Sequence, residues 1–195
     1  DARAVDDVLA GFEPGGAQPV IRSTMPPGST GRLADKHQLP LVYMPEFLRD
    51  RSDVDDFFKV DRMVLSGPQE NRRVVRDFLD QSPRQIGEVI ETGDYLTAEL
   101  GKYAHNAFFA TKVSFANQMR VIAEAGGADP VMVMDIVTAG SRNTDSHLDP
   151  MLGTYGGKCW PKDVAALRHY AREGPSAPTP VIDGVVAMKE KAKDE

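Results

Sequence analysis

The sequence predicts an α/β protein, a sheet of parallel βαβ units followed by a helical region. Two observations carry this. Short apolar runs alternate with helical stretches as far as residue 92, the pattern of strands buried on both faces with helices crossing between them. Beyond residue 92 the character changes, because Tyr95 to Ala125 contains no proline and one glycine, Gly101. Strands before that point and helices after it place a domain boundary near residue 92, dividing 1–92 from 93–195.

Taken in order, residues 1–11 (DARAVDDVLAG) predict a helix ending at Gly11, with Val5, Val8 and Leu9 on one face. Pro19 to Thr24 is a short apolar run stopped by Met25-Pro26-Pro27-Gly28, which reads as a buried strand meeting a rigid turn. Ser29 or Thr30 caps a short helix toward Lys36. Leu39 to Met44 is a second strand cut off by Pro45, and Arg62 to Ser66 a third, ending at Gly67-Pro68. Residues 69–81 predict a helix and Gln85 to Ile90 a fourth strand. The proline-free run is one helix of about 30 residues, roughly 45 Å long, and a helix of that length bridges domains or packs against a partner. Gly126-Gly127 ends it, and Pro130 opens another helix running to about Ala139. A polar stretch from Gly140 to Pro150 leads to a glycine-rich loop, Gly153 to Asp163, and then to a helix. Pro175 to Pro180 is a linker, and the last fifteen residues form an amphipathic helix.

Composition narrows the function classes. Lys and Arg number 23 against 29 Asp and Glu, a net charge of −6, and a general nucleic-acid binder needs the opposite balance. No apolar run approaches the ~18 residues of a membrane span. The first residues, DARAVDD, show no basic region followed by an apolar one, so no signal peptide is expected. One cysteine forms no internal disulfide, which makes a reducing, cytoplasmic setting the default.

Chemistry concentrates at a few positions. Cys159 follows Tyr155-Gly156-Gly157 and precedes Trp160-Pro161-Lys162-Asp163 at a predicted helix start, where the helix dipole and free N–H groups favour a thiolate. Such a thiol suits nucleophilic attack; the blander reading is an inert, buried cysteine. Lys102 and Asn106 stand four apart on the long helix, about 40° from each other, and Asn117 about 60° from Lys102. They are a polar site in an apolar wall or a solvated helix face. An ammonium there stabilises an oxyanion, and a carboxamide orients a water. Glu46 and Thr24 lie just past strand ends, where open α/β sheets bind ligands; a partly buried carboxylate there suits a general base, and the alternative for each is a turn residue. His37, His105, His147 and His169 have no metal-ligand spacing with one another or with Cys159, and no G-x-S-x-G elbow is present.

RSTMPPGST (22–30), MPEFLRD (44–50), DRMVLSG (61–67), AELGKYAHNAFFATKVSFANQM (98–119) and GTYGGKCWPKDVAAL (153–167) occur in this order over nearly the whole chain. Together they strongly resemble the UDP-glucose/GDP-mannose dehydrogenase family, and the Y-G-G-x-C-x-P-K-D and K-x-x-x-N elements are specific in combination. The resemblance implies a partial Rossmann-like sheet, a connecting helix and a helical dimerisation region. It implies a four-electron oxidation of a nucleotide sugar, its 6-hydroxymethyl group going to an aldehyde and then a carboxylate with two NAD+. By matching positions, Cys159 attacks the aldehyde, and the resulting thiohemiacetal becomes a thioester that water hydrolyses. Lys102 stabilises the oxyanions with Asn106 beside it, Asp163 supports the lysine and the water network, Glu46 is the base of hydrolysis, and Thr24 positions the water. Phe47 and Leu48 match a segment lying along the nucleotide sugar, and Tyr155, Gly156 and Gly157 the loop that clasps it. Arg142 resembles an arginine that reaches a partner subunit's substrate. Thr24, Glu46 and Lys162 fall on the cofactor side. The expected partners are a nucleotide sugar and a second copy of the chain, joined through the long helix and its run Ala107-Phe108-Phe109-Ala110; neither nucleic acid nor membrane is expected.

The sequence departs from that family in two places. No G-x-G-x-x-G follows an early strand, so residues 1–92 match only the second half of the dinucleotide-binding domain, and residues matching the family's C-terminal nucleotide-binding domain are absent. Asp50 stands where the family has glutamate. Two other readings follow. One is a non-catalytic dimerisation or sugar-nucleotide-binding module. The other is a 3-hydroxyacid dehydrogenase, which uses a helical lysine and asparagine but has no use for the cysteine loop.

Overall fold

The structure is a computed structural model that describes residues 2–13, 15–47, 58–139, 147–151, 153–157 and 159–191. The chain divides into two compact units, residues 1–102 and 103–195.

The first unit contains α1 (Arg3–Ala10), β1 (Val20–Ile21), α2 (Ser29–His37), β2 (Val42–Tyr43), β3 (Lys59–Ser66), α3 (Gln69–Asp80), β4 (Gln85–Thr92) and the start of α4 (Tyr95–Ala125). The strands lie in the order β1-β2-β3-β4. β1 runs parallel to β2, with Val20 opposite Val42, and β3 runs parallel to β4 from Lys59–Gln85 to Ser66–Thr92. The sheet is not wholly parallel as predicted: β2 meets β3 antiparallel through one pair, Tyr43 with Ser66. The first two strands are also shorter than their apolar runs. Pro40 and Pro45 bracket β2 and supply no N–H, which limits its ladder, and Pro19 does the same ahead of β1; at its other end β1 stops at Ile21 with no proline beside it. β3 and β4 lack internal prolines and outrun the predicted segments.

Alternation along β2 builds the core on both faces of the sheet. Leu41 and Tyr43 join Leu9, Ile21, Met25, Leu33, Leu39 and Ala98, while Val42 and Met44 join Met63, Leu65, Val75 and Leu79. Leu9 and Val5 of α1 pack into the first group, but Val8 is exposed. Val8 sits about 100° round the helix from Leu9, outside the buried stripe, so the predicted three-residue face is a two-residue one. Ser29 and Thr30 are the first residues of α2 and do not cap it. Its N-cap is Gly28, at φ 81°, with no side-chain cap of its own.

Asp94 starts α4 by accepting the N–H groups of Leu96 and Thr97, each at 3.0 Å. The first turns then bury Ala98 against the sheet, while the Tyr95 hydroxyl donates to the Leu41 carbonyl at 2.7 Å. These contacts carry the first unit into the helix as far as Lys102, beyond the change of character at residue 92.

The second unit holds the rest of α4, α5 (Pro130–Thr138), α6 (Trp160–Glu173) and α7 (Pro180–Lys191). Asp129 caps α5 with its side chain, ahead of Pro130. Ala107, Ala110 and Val113 of α4 pack with Tyr155, with Val164 of α6 and with Val185 of α7. Arg168 and Arg172 of α6 bind the Asp183 carboxylate of α7 at 2.6 and 2.7 Å. Among the described residues no helix is long and apolar enough to cross a membrane. Residues 192–195 of the predicted terminal helix lie outside the described residues.

Candidate active site

In the first unit the groups of interest follow strand ends or ride on α4. Thr24 follows β1, half-buried, and its neighbour Met25 is buried. Glu46 follows β2. One of its carboxylate oxygens accepts the Phe47 N–H at 2.8 Å, and the other meets the Arg22 guanidinium. The carboxylate expected to serve as a base is therefore held by a cation. Burial first, and Arg84 second, lower the pKa of that guanidinium. Lys102 is 8% exposed, which rules out the solvated helix face. Its Nζ lies 4.6 Å from the centroid of the Phe47 ring, and the Arg62 guanidinium 5.1 Å from the same centroid. An aromatic face offsets part of the cost of burying an ammonium.

Sequence reasoning passed over Glu99. This carboxylate is fully buried, and its two oxygens accept the N–H groups of Gly28 and Thr30 at the start of α2, the latter at 2.7 Å. Burial pushes its carboxyl above the ordinary range, against the pull of Thr30, Gly28 and Arg32. Its spacing from Lys102 placed it on the buried side of the helix. Its partners, some 70 residues away in sequence, gave no local signal.

In the second unit Cys159 is the N-cap of α6 and is exposed, which sets aside the inert, buried reading. Its carbonyl accepts the Asp163 N–H at 2.9 Å, closing the first turn. Asp163 is fully buried. One oxygen accepts from the Asn106 amide and the other from Lys162 Nζ, both at 2.6 Å. The cysteine-bearing turn is thus fixed to α4 through Asn106. Asn117, also buried, donates its amide nitrogen to the carbonyls of Val113 and Gly153 and so anchors the glycine loop. Within that loop Tyr155 is buried, Gly156 and Gly157 are exposed, and Gly157 adopts φ 76°. Phe109 stacks on Trp160 at 6.0 Å and touches His105 and His147 at 4.7 and 4.4 Å, a ring cluster that sequence reading also missed. Leu48, Asp50 and Arg142 lie outside the described residues.

Each unit therefore gathers part of the predicted set. The first joins Lys102, Phe47 and Glu46, and the second joins Cys159, Lys162, Asp163 and Asn106. A cleft of about 520 Å³ lined by Arg172, Thr179 and Asp183 contains none of the predicted residues.

Comparison with known proteins bears on both halves. Residues 96–191 match the UDP-glucose/GDP-mannose dehydrogenase family, central domain. The chain is 34% identical over 183 residues to UDP-glucose 6-dehydrogenase TuaD of Bacillus subtilis (strain 168), covering 89% of this chain and 38% of that protein. It is 38% identical over 138 residues to UDP-glucose 6-dehydrogenase AglM of Haloferax volcanii, covering 69% of this chain and 31% of that protein. Among solved structures, a UDP-glucose dehydrogenase from the archaeon Pyrobaculum islandicum superimposes with a TM-score of 0.83 at 28% identity, over 98% of this chain and 46% of that one. The chain spans under half the length of each of these relatives.

Proposed function

Because the chain belongs to the UDP-glucose/GDP-mannose dehydrogenase family, we propose that it carries the cysteine-dependent part of a nucleotide-sugar 6-dehydrogenase acting on UDP-glucose or GDP-mannose. The observation that carries this is Cys159, an exposed thiol at the N-terminus of α6 whose first turn is held by the buried Asn106–Asp163 bond.

The chemistry assigns the residues as follows. The Cys159 sulfur adds to the C6 aldehyde carbon: a C–S bond forms and the carbonyl π pair moves to oxygen. Lys102, as an ammonium, stabilises that oxygen while it carries negative charge, both here and when water later adds to the thioester. When bound, NAD+ would supply the hydride-accepting chemistry that the two oxidations need. Glu46 takes a proton from the attacking water, Thr24 orients that water, the C–S bond breaks, and the thiolate leaves a carboxylate behind. Asp163 is a buried anchor for Asn106 and Lys162.

The start of α2 does not fit the pyrophosphate of the dinucleotide. Free N–H groups at a helix start are where such sheets hold phosphate, and at α2 the Gly28 and Thr30 N–H groups are already on Glu99. Thr24, Glu46 and Lys162 would border the cofactor, with its pyrophosphate held elsewhere. The second proposed partner is another copy of this chain, joined along α4.

The test is NADH formation by the full-length protein given UDP-glucose or GDP-mannose. Cys159→Ser is expected to stop the second oxidation and leave nucleotide-sugar affinity unchanged by calorimetry. Full turnover by that variant would favour hydroxyacid chemistry instead, and binding without turnover by the intact protein would favour a non-catalytic module.

A further inference from the structure

Glu99 is an expensive way to start a helix. A carboxylate with no exposure to water is strongly disfavoured unless its oxygens are bonded, and these meet two main-chain N–H groups at the positive end of α2. No local side chain can do this: the N-cap is Gly28, Ser29 and Thr30 already lie in the first turn, and Ser29 Oγ accepts from Arg32 at 3.1 Å. What a distant carboxylate adds is a tether between α2 and α4. The tether joins two pieces of the proposed chemistry. Thr24 precedes Met25-Pro26-Pro27-Gly28, in which the prolines fix φ, Met25 is buried with its N–H directed to the Tyr43 hydroxyl at 3.5 Å, and Gly28 ends on Glu99. Lys102 lies three residues after Glu99, on the same side of α4.

We propose that Glu99 is a positioning residue, whose carboxylate bonds to Gly28 and Thr30 lock the Thr24 turn onto the turn of α4 that carries Lys102. This rests on the reading of Thr24 and Lys102 as groups that act on the thioester. Glu99 touches no substrate. Its effect is on the placement of a water-orienting hydroxyl relative to an oxyanion-stabilising ammonium, and a misplacement of about 1 Å costs about 100-fold in rate.

The test compares Glu99→Gln with the unaltered full-length protein. The amide keeps the shape but offers one acceptor in place of two, so one N–H bond is lost. With UDP-glucose or GDP-mannose and NAD+, kcat is expected to fall between about 10-fold and 100-fold with KM little changed, and the acyl adduct on Cys159 to accumulate, read by intact mass. Hydrogen exchange is expected to quicken at residues 24–30 while global stability is retained. Unchanged kcat in folded Glu99→Gln overturns the proposal. So does a parallel fall of every step with no adduct, or unchanged exchange at 24–30. If Glu99→Gln fails to fold, Glu99→Asp, which keeps the charge on a shorter arm, takes its place: the same measurements apply, and the same results support or overturn the tether. Should the unaltered protein reduce no NAD+ with either sugar, the functional reading fails by itself. Exchange at 24–30 and the Lys102 side-chain amine signal then decide the tether: both shifting together in the variant supports it, and either standing still overturns it.

Discussion

Lys102 shows how a charge is held at a position proposed to act in the chemistry. An ammonium that is 8% exposed costs free energy, and the Phe47 ring 4.6 Å away offsets part of it. In the proposed chemistry this ammonium acts on an oxygen that becomes negative during reaction. Lys102→Ala should therefore lower kcat by about 100-fold to 1000-fold, with little change in KM, because the lost interaction belongs to the transition state. Steady-state NADH kinetics decide it; a rise in KM at constant kcat would mean that Lys102 only binds substrate. The shared face of Lys102 and Asn106 and the helix start at Cys159 were legible in sequence, because helical spacing and a flanking Pro161 mark them. Glu99 was not, nor was the pairing of Glu46 with Arg22. Both depend on partners brought near by the fold, and a single sequence contains no signal for such a meeting.

Among elements, those whose ends are written locally were read most accurately. α4 runs from the Asp94 cap to Gly126-Gly127, as a proline-free run between a cap and two glycines dictates. β2 was overread because apolar content does not reveal the N–H donors that Pro40 and Pro45 remove, and β1 because an apolar run does not mark where pairing stops. The contact between α6 and α7 gives a prediction at this level. Desolvation alone would raise the Asp183 carboxyl, but bonds from Arg168, Arg172 and Thr179 outweigh it and hold its pKa below the ordinary 3.8. A carboxyl lowered in the folded state contributes stability above its unfolded value and loses it as pH falls through the folded one. The docking of α7 on α6 should thus be constant above about pH 4 and weaken below 3.8. Asp183→Asn should lack this acid-side loss in melts recorded across that range. Identical pH profiles for the two proteins would place the acid sensitivity in other groups.

At the level of the whole molecule, α4 has two faces that ask for different partners. Glu99, Lys102, Asn106, Ala110, Val113 and Asn117 form one buried stripe. About 180° around the helix lie Phe108, Phe115 and Ile122, exposed by 60%, 45% and 54%. The positions along that outer stripe are Gly101, Ala104, Phe108, Thr111, Phe115, Gln118 and Ile122, alternating steps of three and four with no charge among them. This is the spacing by which two helices pack seam to seam, and small residues at one end let backbones approach. Rings repeated along one face are unfavourable in water, while an uncharged seam suits an identical helix better than a charged partner. Of the expected run, Ala107 and Ala110 are buried in the second unit and Phe109 stacks on Trp160, which leaves Phe108 for a partner, so the proposed second copy is placed on this stripe instead. Phe115→Glu, at the middle of the seam, would place two like charges against each other and should convert a dimer to a monomer in sedimentation, with helix content unchanged. The same substitution at Val8 or Phe78, exposed apolar residues away from α4, should leave the dimer intact. Monomeric sedimentation of the unaltered protein at micromolar concentration would remove the second copy from this stripe and leave the exposed rings needing another occupant.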